Sequence, residues 1–296
     1  MNSAELISKV RKIEIKTRGL TNQIFAGEYH SAFKGQGMAF SEVREYQYGD
    51  PIRNIDWNVT ARFSKPFIKI FEEERELTVM LLVDVSASND FGTKERFKRE
   101  FMTEIAAVIA FSAIQNNDKI GVIFFTDRVE KFIPPKKGKK HIMRIILELL
   151  DFEPENHGTN IPEALRYFTN SIKKRSTAFL LSDFIQSGEL IKNQLLDSLT
   201  LSNKKHDLIA LRIKDVGEFS LPGLGLVRFE DSETGQMQWV DTSSKRIKTH
   251  LTEWWKNEDS QLIETLRRSG VDFTELYTGA DYVNGLIKLF KKRGRR

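Results

Sequence analysis

The chain contains no cysteine. Disulfides, thiolate-bound zinc, iron–sulfur clusters and a thiol nucleophile are therefore excluded. Histidine is also scarce: the five residues His30, His141, His157, His206 and His250 have no metal-ligand spacing. Long apolar runs are missing as well. Val79–Val83 and Ile142–Ile146 are strand-sized, far short of the ~20 residues of a membrane-spanning helix. The opening stretch MNSAELISKVRKIEIKTRG mixes charged and apolar residues and lacks the apolar core of a signal peptide. The expectation is a cytoplasmic protein with no membrane span.

Charge is present in excess of one sign, with 46 Lys and Arg against 41 Asp and Glu. The excess is local. KLFKKRGRR at 288–296 carries six basic residues, and Lys131–Lys140 (KFIPPKKGKK) carries five lysines. Elsewhere acidic residues slightly outnumber basic ones, 41 to 35. No groove-reading motif is present, and no aromatic residues alternate with the basic ones as a stacking platform requires. We therefore expect no nucleic-acid partner. The two patches read either as a solvated loop and a tail or as a docking surface that steers an acidic partner.

The 296 residues suffice for one large domain or two small ones. Apolar spacing over 4–25 is helical. Residues 26–64 are rich in Gly, Tyr, Arg and Asp and lack a period, so they read as an ordered but irregular segment. Phe67–Phe71 alternates as an edge strand does. Leu77–Val85, Ile120–Phe125, Thr177–Leu181 and Leu208–Ile213 are predominantly apolar runs, as expected of strands buried on both faces. Val129–Ile133 is a short strand ended by Pro134 and Pro135. Helical patterns cover Glu95–Ile114, His141–Leu150, Pro162–Ile172, Glu189–Leu201, 245–268 and Tyr282–Phe290, and Val271–Tyr277 is a last strand. This alternation predicts an α/β fold: a doubly wound, mostly parallel sheet flanked by helices, with a β-hairpin insertion at 215–243. The expected organisation is an N-terminal helix and wrapping segment over 1–75, the α/β domain over 76–290 and a basic tail at 291–296.

Ligands of such folds sit beyond the C-terminal ends of the strands. One buried run ends in Asp84-Val85-Ser86-Ala87-Ser88, which sets Asp84, Ser86 and Ser88 on one side. Another ends in Ser182-Asp183, and Thr159 lies in a loop before a helix. Turn and N-cap roles account for any one of these singly. Together they form an oxygen-only set with two carboxylates, suited to Mg²⁺ or Mn²⁺.

Asp84–Ser88, Thr159 and Asp183 resemble the metal-ion-dependent adhesion site of von Willebrand factor type A domains, over roughly 76–290. The segments GEYHSAFKGQGMAFSEVREYQYGDPIRNIDWNVTAR, FEEERELTVMLLVDVSAS, KIGVIFFTD, IPPKKGKKH, LLSDF and GLVRFEDSETGQMQWVDT resemble the bacterial family called domain of unknown function 58. The resemblance implies a non-enzymatic, Mg-dependent (or Mn-dependent) protein-binding module. Ser86 and Ser88 would ligate the ion directly, Thr159 directly or through water, and Asp84 and Asp183 through water. A partner protein's Asp or Glu would complete the shell. It also implies an adaptor or co-chaperone role beside a MoxR-type AAA+ ATPase or its client. The family's hallmark segment contributes Arg44, Asp50, Arg53, Asp56, Trp57 and Arg62. These read either as a partner surface or, preferred, as an internal charge network, since the charges balance and are interleaved with aromatics.

Two alternatives stand beside that reading. A Mg-dependent phosphatase-like hydrolase would use Asp84 as nucleophile, but the position two residues on, where a carboxylic acid would serve, is Ser86. A structural domain with a vestigial metal site is the other. Lys136–His141 (KKGKKH) does not supply a phosphate-binding loop.

Overall fold

The computed structural model describes residues 39–72, 77–90, 98–186, 189–215, 217, 223–230, 235 and 237–294. The described residues divide into two compact units, those up to Leu77 and those from Thr78 onward. The helix expected over 4–25 lies outside the described residues.

In the smaller unit, β1 (Ala39–Glu45) and β2 (Phe67–Glu72) pair antiparallel. Between them α1 (Trp57–Phe63) starts at Asp56, whose Oδ1 accepts from the backbone N–H groups of Asn58 and Val59 at 3.0 and 3.2 Å. It ends at Ser64 in the left-handed region, φ 53°. The irregular reading of 26–64 is thus corrected for 39–45 and 57–63. The ladder slips at a bulge between Phe40 and Glu42, which breaks the alternation a strand shows in sequence.

The larger unit alternates strand and helix. Its elements are β3 (Thr78–Asp84), α2 (Lys98–Gln115), β4 (Lys119–Phe125), β5 (Val129–Lys136), α3 (Lys139–Asp151), α4 (Ile161–Ser171), β6 (Thr177–Ser182), α5 (Glu189–Lys205), β7 (Asp207–Lys214), β8 (Leu226–Glu230), β9 (Met237–Asp241), α6 (Lys245–Arg268), β10 (Asp272–Tyr277) and α7 (Tyr282–Gly294). Six strands form one sheet in the order β10-β7-β6-β3-β4-β5, parallel except for β5. β8 and β9 pair as the hairpin expected within 215–243. Among the described residues no helix is long and apolar enough to cross a membrane.

The sheet is buried on both faces, with Val79–Leu82, Val122–Phe125 and Ala178–Leu181 fully inaccessible. α2 is apolar nearly all round and is buried from Phe101 to Ala113. It stops where Asn117 takes φ 58°, a left-handed conformation that Asn tolerates.

Two expectations need correction. β5 does not end before Pro134 but runs through both prolines to Lys136. As the edge strand it lacks a second neighbour needing the missing N–H groups, and the register shifts opposite, between Ile120 and Val122. The basic tail at 291–296 is also not free through Arg293, because α7 continues to Gly294. Arg293 donates to Asp207 at 2.6 Å and to Asp272 at 2.7 Å, so it secures the helix to β7 and β10.

Successive strands are added on one side of β3 up to β5 and on the other side from β6 to β10. The order therefore reverses between β3 and β6. A ligand of a doubly wound sheet binds at that switch point, outside the carboxyl ends of the strands. The residues there are Asp84 and Ser182-Asp183.

Candidate metal centre

Val83 of β3 pairs with Leu181 of β6, which brings the next residues, Asp84 and Ser182, side by side. Ser182 Oγ donates to Asp84 Oδ2 at 2.6 Å, and the backbone N–H of Ser86 donates to Asp84 Oδ1 at 3.0 Å. The chain then turns through a short 3₁₀ segment, Ala87–Asp90. This turn brings the Ser86 and Ser88 hydroxyls within 3.1 Å of each other. Asn89 Nδ2 donates to Ser86 Oγ at 3.1 Å and to the Asp84 carbonyl at 3.3 Å, closing the turn from behind.

Thr159 arrives from a different loop. The N–H of Ala87 donates to the carbonyl of His157 at 3.1 Å, and the N–H of Asn160 to the carbonyl of Thr126 at 2.9 Å. These bonds hold the Gly158–Asn160 loop to the serine turn and to the end of β4. Asn160 then caps α4, with its Oδ1 accepting from the Glu163 N–H. Gln186 Oε1 accepts from the Ile161 N–H at 3.2 Å, tying this loop to the one after β6.

All five predicted site residues are buried, between 1% exposed for Asp84 and 8% for Ser88. Their hydrogen bonding is uneven. Asp84 is satisfied at both oxygens. So is Asp183, whose Oδ1 accepts from the Ile185 N–H at 2.9 Å and whose Oδ2 accepts from Lys98 Nζ at 2.8 Å. Among the described residues, Thr159 Oγ1 is buried with no hydrogen-bond partner, and so is Asn89 Oδ1. A buried orphan oxygen costs about 1–3 kcal/mol, so the rim fits a cation approached from its hydroxyl side. Among the described residues no three His, Cys, Asp or Glu side chains group as a metal cage. The donor set is two carboxylates and three hydroxyls.

Burial, and after it the charge of Asp183, pushes the Asp84 carboxyl up to about 7, against the hydrogen bonds from Ser182 and Ser86 that favour the anion. Such a carboxyl wants a cation nearby to ionise fully.

Behind the rim, Arg212 Nε donates to the Asp183 carbonyl at 3.4 Å. Its guanidinium pairs with Asp259 at 2.6 Å and Glu275 at 3.1 Å, and Lys214 joins the same two carboxylates. Sequence reasoning missed Ser182, Asn89, Lys98 and Arg212. Ser182 and Asn89 adjoin the motif residues and were open to a local reading. Lys98 and Arg212 carry no local signal.

The hallmark segment of the smaller unit divides in two. Arg44 holds Asp50 with two bonds of 2.9 Å, and the Gln47 N–H adds a third at 2.8 Å. The Arg44 bond is the main reason the Asp50 carboxyl sits below the usual range. Asp56 caps α1 and pairs with Lys69 at 3.4 Å. Burial pushes its carboxyl up, but the Val59 and Asn58 N–H groups and Lys69 outweigh this and leave it lowered. These three follow the charge-network reading. Arg53, Trp57 and Arg62 are exposed, Trp57 at 68%.

A doubly wound sheet carrying an oxygen-lined rim at its switch point defines the class. The family model described as "Protein of unknown function DUF58" matches residues 42–261. The chain belongs to that family. The uncharacterized protein Rv1480 of Mycobacterium tuberculosis is 24% identical over 297 residues, covering 100% of this chain and 92% of that one. The uncharacterized protein YeaD of Bacillus subtilis is 28% identical over 109 residues, 37% of this chain and 25% of that one. Among solved structures, the conserved hypothetical protein BatB from Bacteroides thetaiotaomicron is similar with TM-score 0.47 and 12% identity, covering 74% of this chain and all of that one. The SpRpn10 VWA domain is similar with TM-score 0.42 and 10% identity over 73% and 95% of the two chains. Both scores lie below 0.5, so the fold description stands on the strand order itself.

Proposed function

We propose that this chain is a non-enzymatic, Mg²⁺- or Mn²⁺-dependent protein-binding module whose metal sits at the ends of β3 and β6. The observation that carries this is the buried Thr159 hydroxyl, which lacks a partner among the described residues and sits in a loop bonded to the serine turn through Ala87 and His157. Ser86, Ser88 and Thr159 would hold the ion, with Asp84 and Asp183 balancing its charge. The bound ion supplies an electrophilic position that a carboxylate oxygen can take. The captured group is then an Asp or Glu of a partner protein. The family resemblance supplies the partner class, a MoxR-type AAA+ ATPase or its client.

The test is co-purification of the tagged protein with such an ATPase, in Mg²⁺ and in chelator. The reading expects capture in Mg²⁺, loss in chelator, and loss in Ser86→Ala/Ser88→Ala in either buffer. Capture that ignores both chelator and the double substitution would contradict it.

A further inference from the structure

The Lys98 ammonium lies 2.8 Å from Asp183 Oδ2, and both side chains are 1% exposed. Lysine is almost never buried so completely unless paired. Withdrawing both charges from water costs several kcal/mol per ion, which only close geometry and full hydrogen bonding offset. For Asp183 that condition is met, because the Ile185 N–H holds its other oxygen. Asp183 is also one of only two carboxylates in the donor set, so the lysine neutralises half of the anionic charge available to a metal.

We infer that Lys98 is a built-in counter-ion of this rim, neutralising Asp183 in the metal-free protein and keeping divalent-cation affinity low. The inference rests on the metal reading above and concerns its regulation. Lys98 Nζ is covalently tethered beside the rim, so an incoming divalent ion meets a positive charge at contact distance from one of its two counter-charges. In a site of reduced dielectric that repulsion is large. The strong contacts left to the ion are the Ser86, Ser88 and Thr159 hydroxyls and Asp84. A cation so held exchanges readily, and its residence depends on a partner carboxylate adding the missing negative charge. Metal and partner would then bind cooperatively, since each supplies what the other lacks.

The experiment titrates MgCl₂ into chelator-treated full-length protein by calorimetry. It compares wild type with Lys98→Met, and Asp183→Asn with the double variant Lys98→Met/Asp183→Asn. The second pair guards against instability of Lys98→Met, because the double variant removes both members of the Lys98–Asp183 pair. The inference expects Lys98→Met to bind Mg²⁺ about tenfold tighter than wild type or better, and the double variant to exceed Asp183→Asn likewise. Mg²⁺ should also raise the melting temperature of Lys98→Met more than that of wild type. Retained Mg²⁺ binding with equal or weaker affinity on loss of Lys98, in both pairs, would overturn the role of Lys98 alone. No Mg²⁺ binding in any of the four proteins would overturn the metal reading and this inference with it.

Discussion

Ser182 Oγ donates to Asp84 Oδ2 at 2.6 Å, joining the last residues of two neighbouring parallel strands. The bond spans the point where the strand order reverses, and it fixes the Asp84 carboxyl before any ligand arrives. Ser182→Ala leaves one buried oxygen of Asp84 without its donor. We expect a loss of about 1–3 kcal/mol in urea denaturation of the metal-free protein. Ser86→Ala/Ser88→Ala removes hydroxyls that face each other, Asn89 and, for Ser86, the Asp84 carboxylate, and should cost about 1–2 kcal/mol. A loss well above about 2 kcal/mol in the double variant would make the serines structural.

His206 is fully buried, with Nδ1 3.1 Å from Ser176 Oγ. Burial, then the charges of Lys205 and Arg175, push its pKa down from 6.5 to about 4. Between those values the unfolded chain binds more protons than the folded one, so stability rises with pH. The contribution is present above pH 6.5 and is lost as pH falls through about 4, at up to about 1.4 kcal/mol per unit. Asp84 acts in the opposite sense: its contribution is present below 3.8 and is lost as pH rises through about 7. The wild-type profile therefore mixes the two, and the difference from His206→Gln isolates the histidine. Between about pH 7 and 5 the wild type should lose more stability than the variant in thermal melts. Parallel profiles would refute the assignment.

Gly121 on β4 faces the proline segment of β5. A Cβ there would stand 2.8 Å from both Ile133 O and Pro135 N, and 2.9 Å from Met80 Sδ. Two of these are backbone atoms that cannot swing aside. Gly121→Ala should destabilise the protein by about 1–3 kcal/mol, read from the urea midpoint. An unchanged midpoint would mean that the edge strand yields freely.

Arg293 bridges Asp207 and Asp272, whereas Lys292 on the same turn is exposed. Arg293→Ala leaves the two carboxylates without this cation and should lower stability by about 2 kcal/mol or more. Lys292→Ala should change it by less than about 0.5 kcal/mol. Equal effects would return this turn to the solvated tail expected from charge alone.

Legibility in the sequence followed the range of the interactions. Leu77–Val85 and Ile120–Phe125 were readable because strands buried on both faces need predominantly apolar runs. Asp84, Ser86, Ser88 and Asp183 were readable because they sit at or just beyond the ends of the runs at 77–85 and 177–181. β1 was not, since a bulge destroys its alternation, and neither was the passage of β5 through two prolines, which only its edge position permits. Lys98 was least readable of all: its partner is 85 residues away, and a lysine at the start of a helix looks like any solvated residue.

The most direct measurement is a calorimetric titration of MgCl₂ into chelator-treated wild type, Asp84→Ala and Ser86→Ala/Ser88→Ala. The account predicts saturable binding near one ion per chain in wild type and its loss in both variants, each still folded by circular dichroism. Identical heats in all three proteins, or none in wild type, would contradict a metal centre at the ends of β3 and β6.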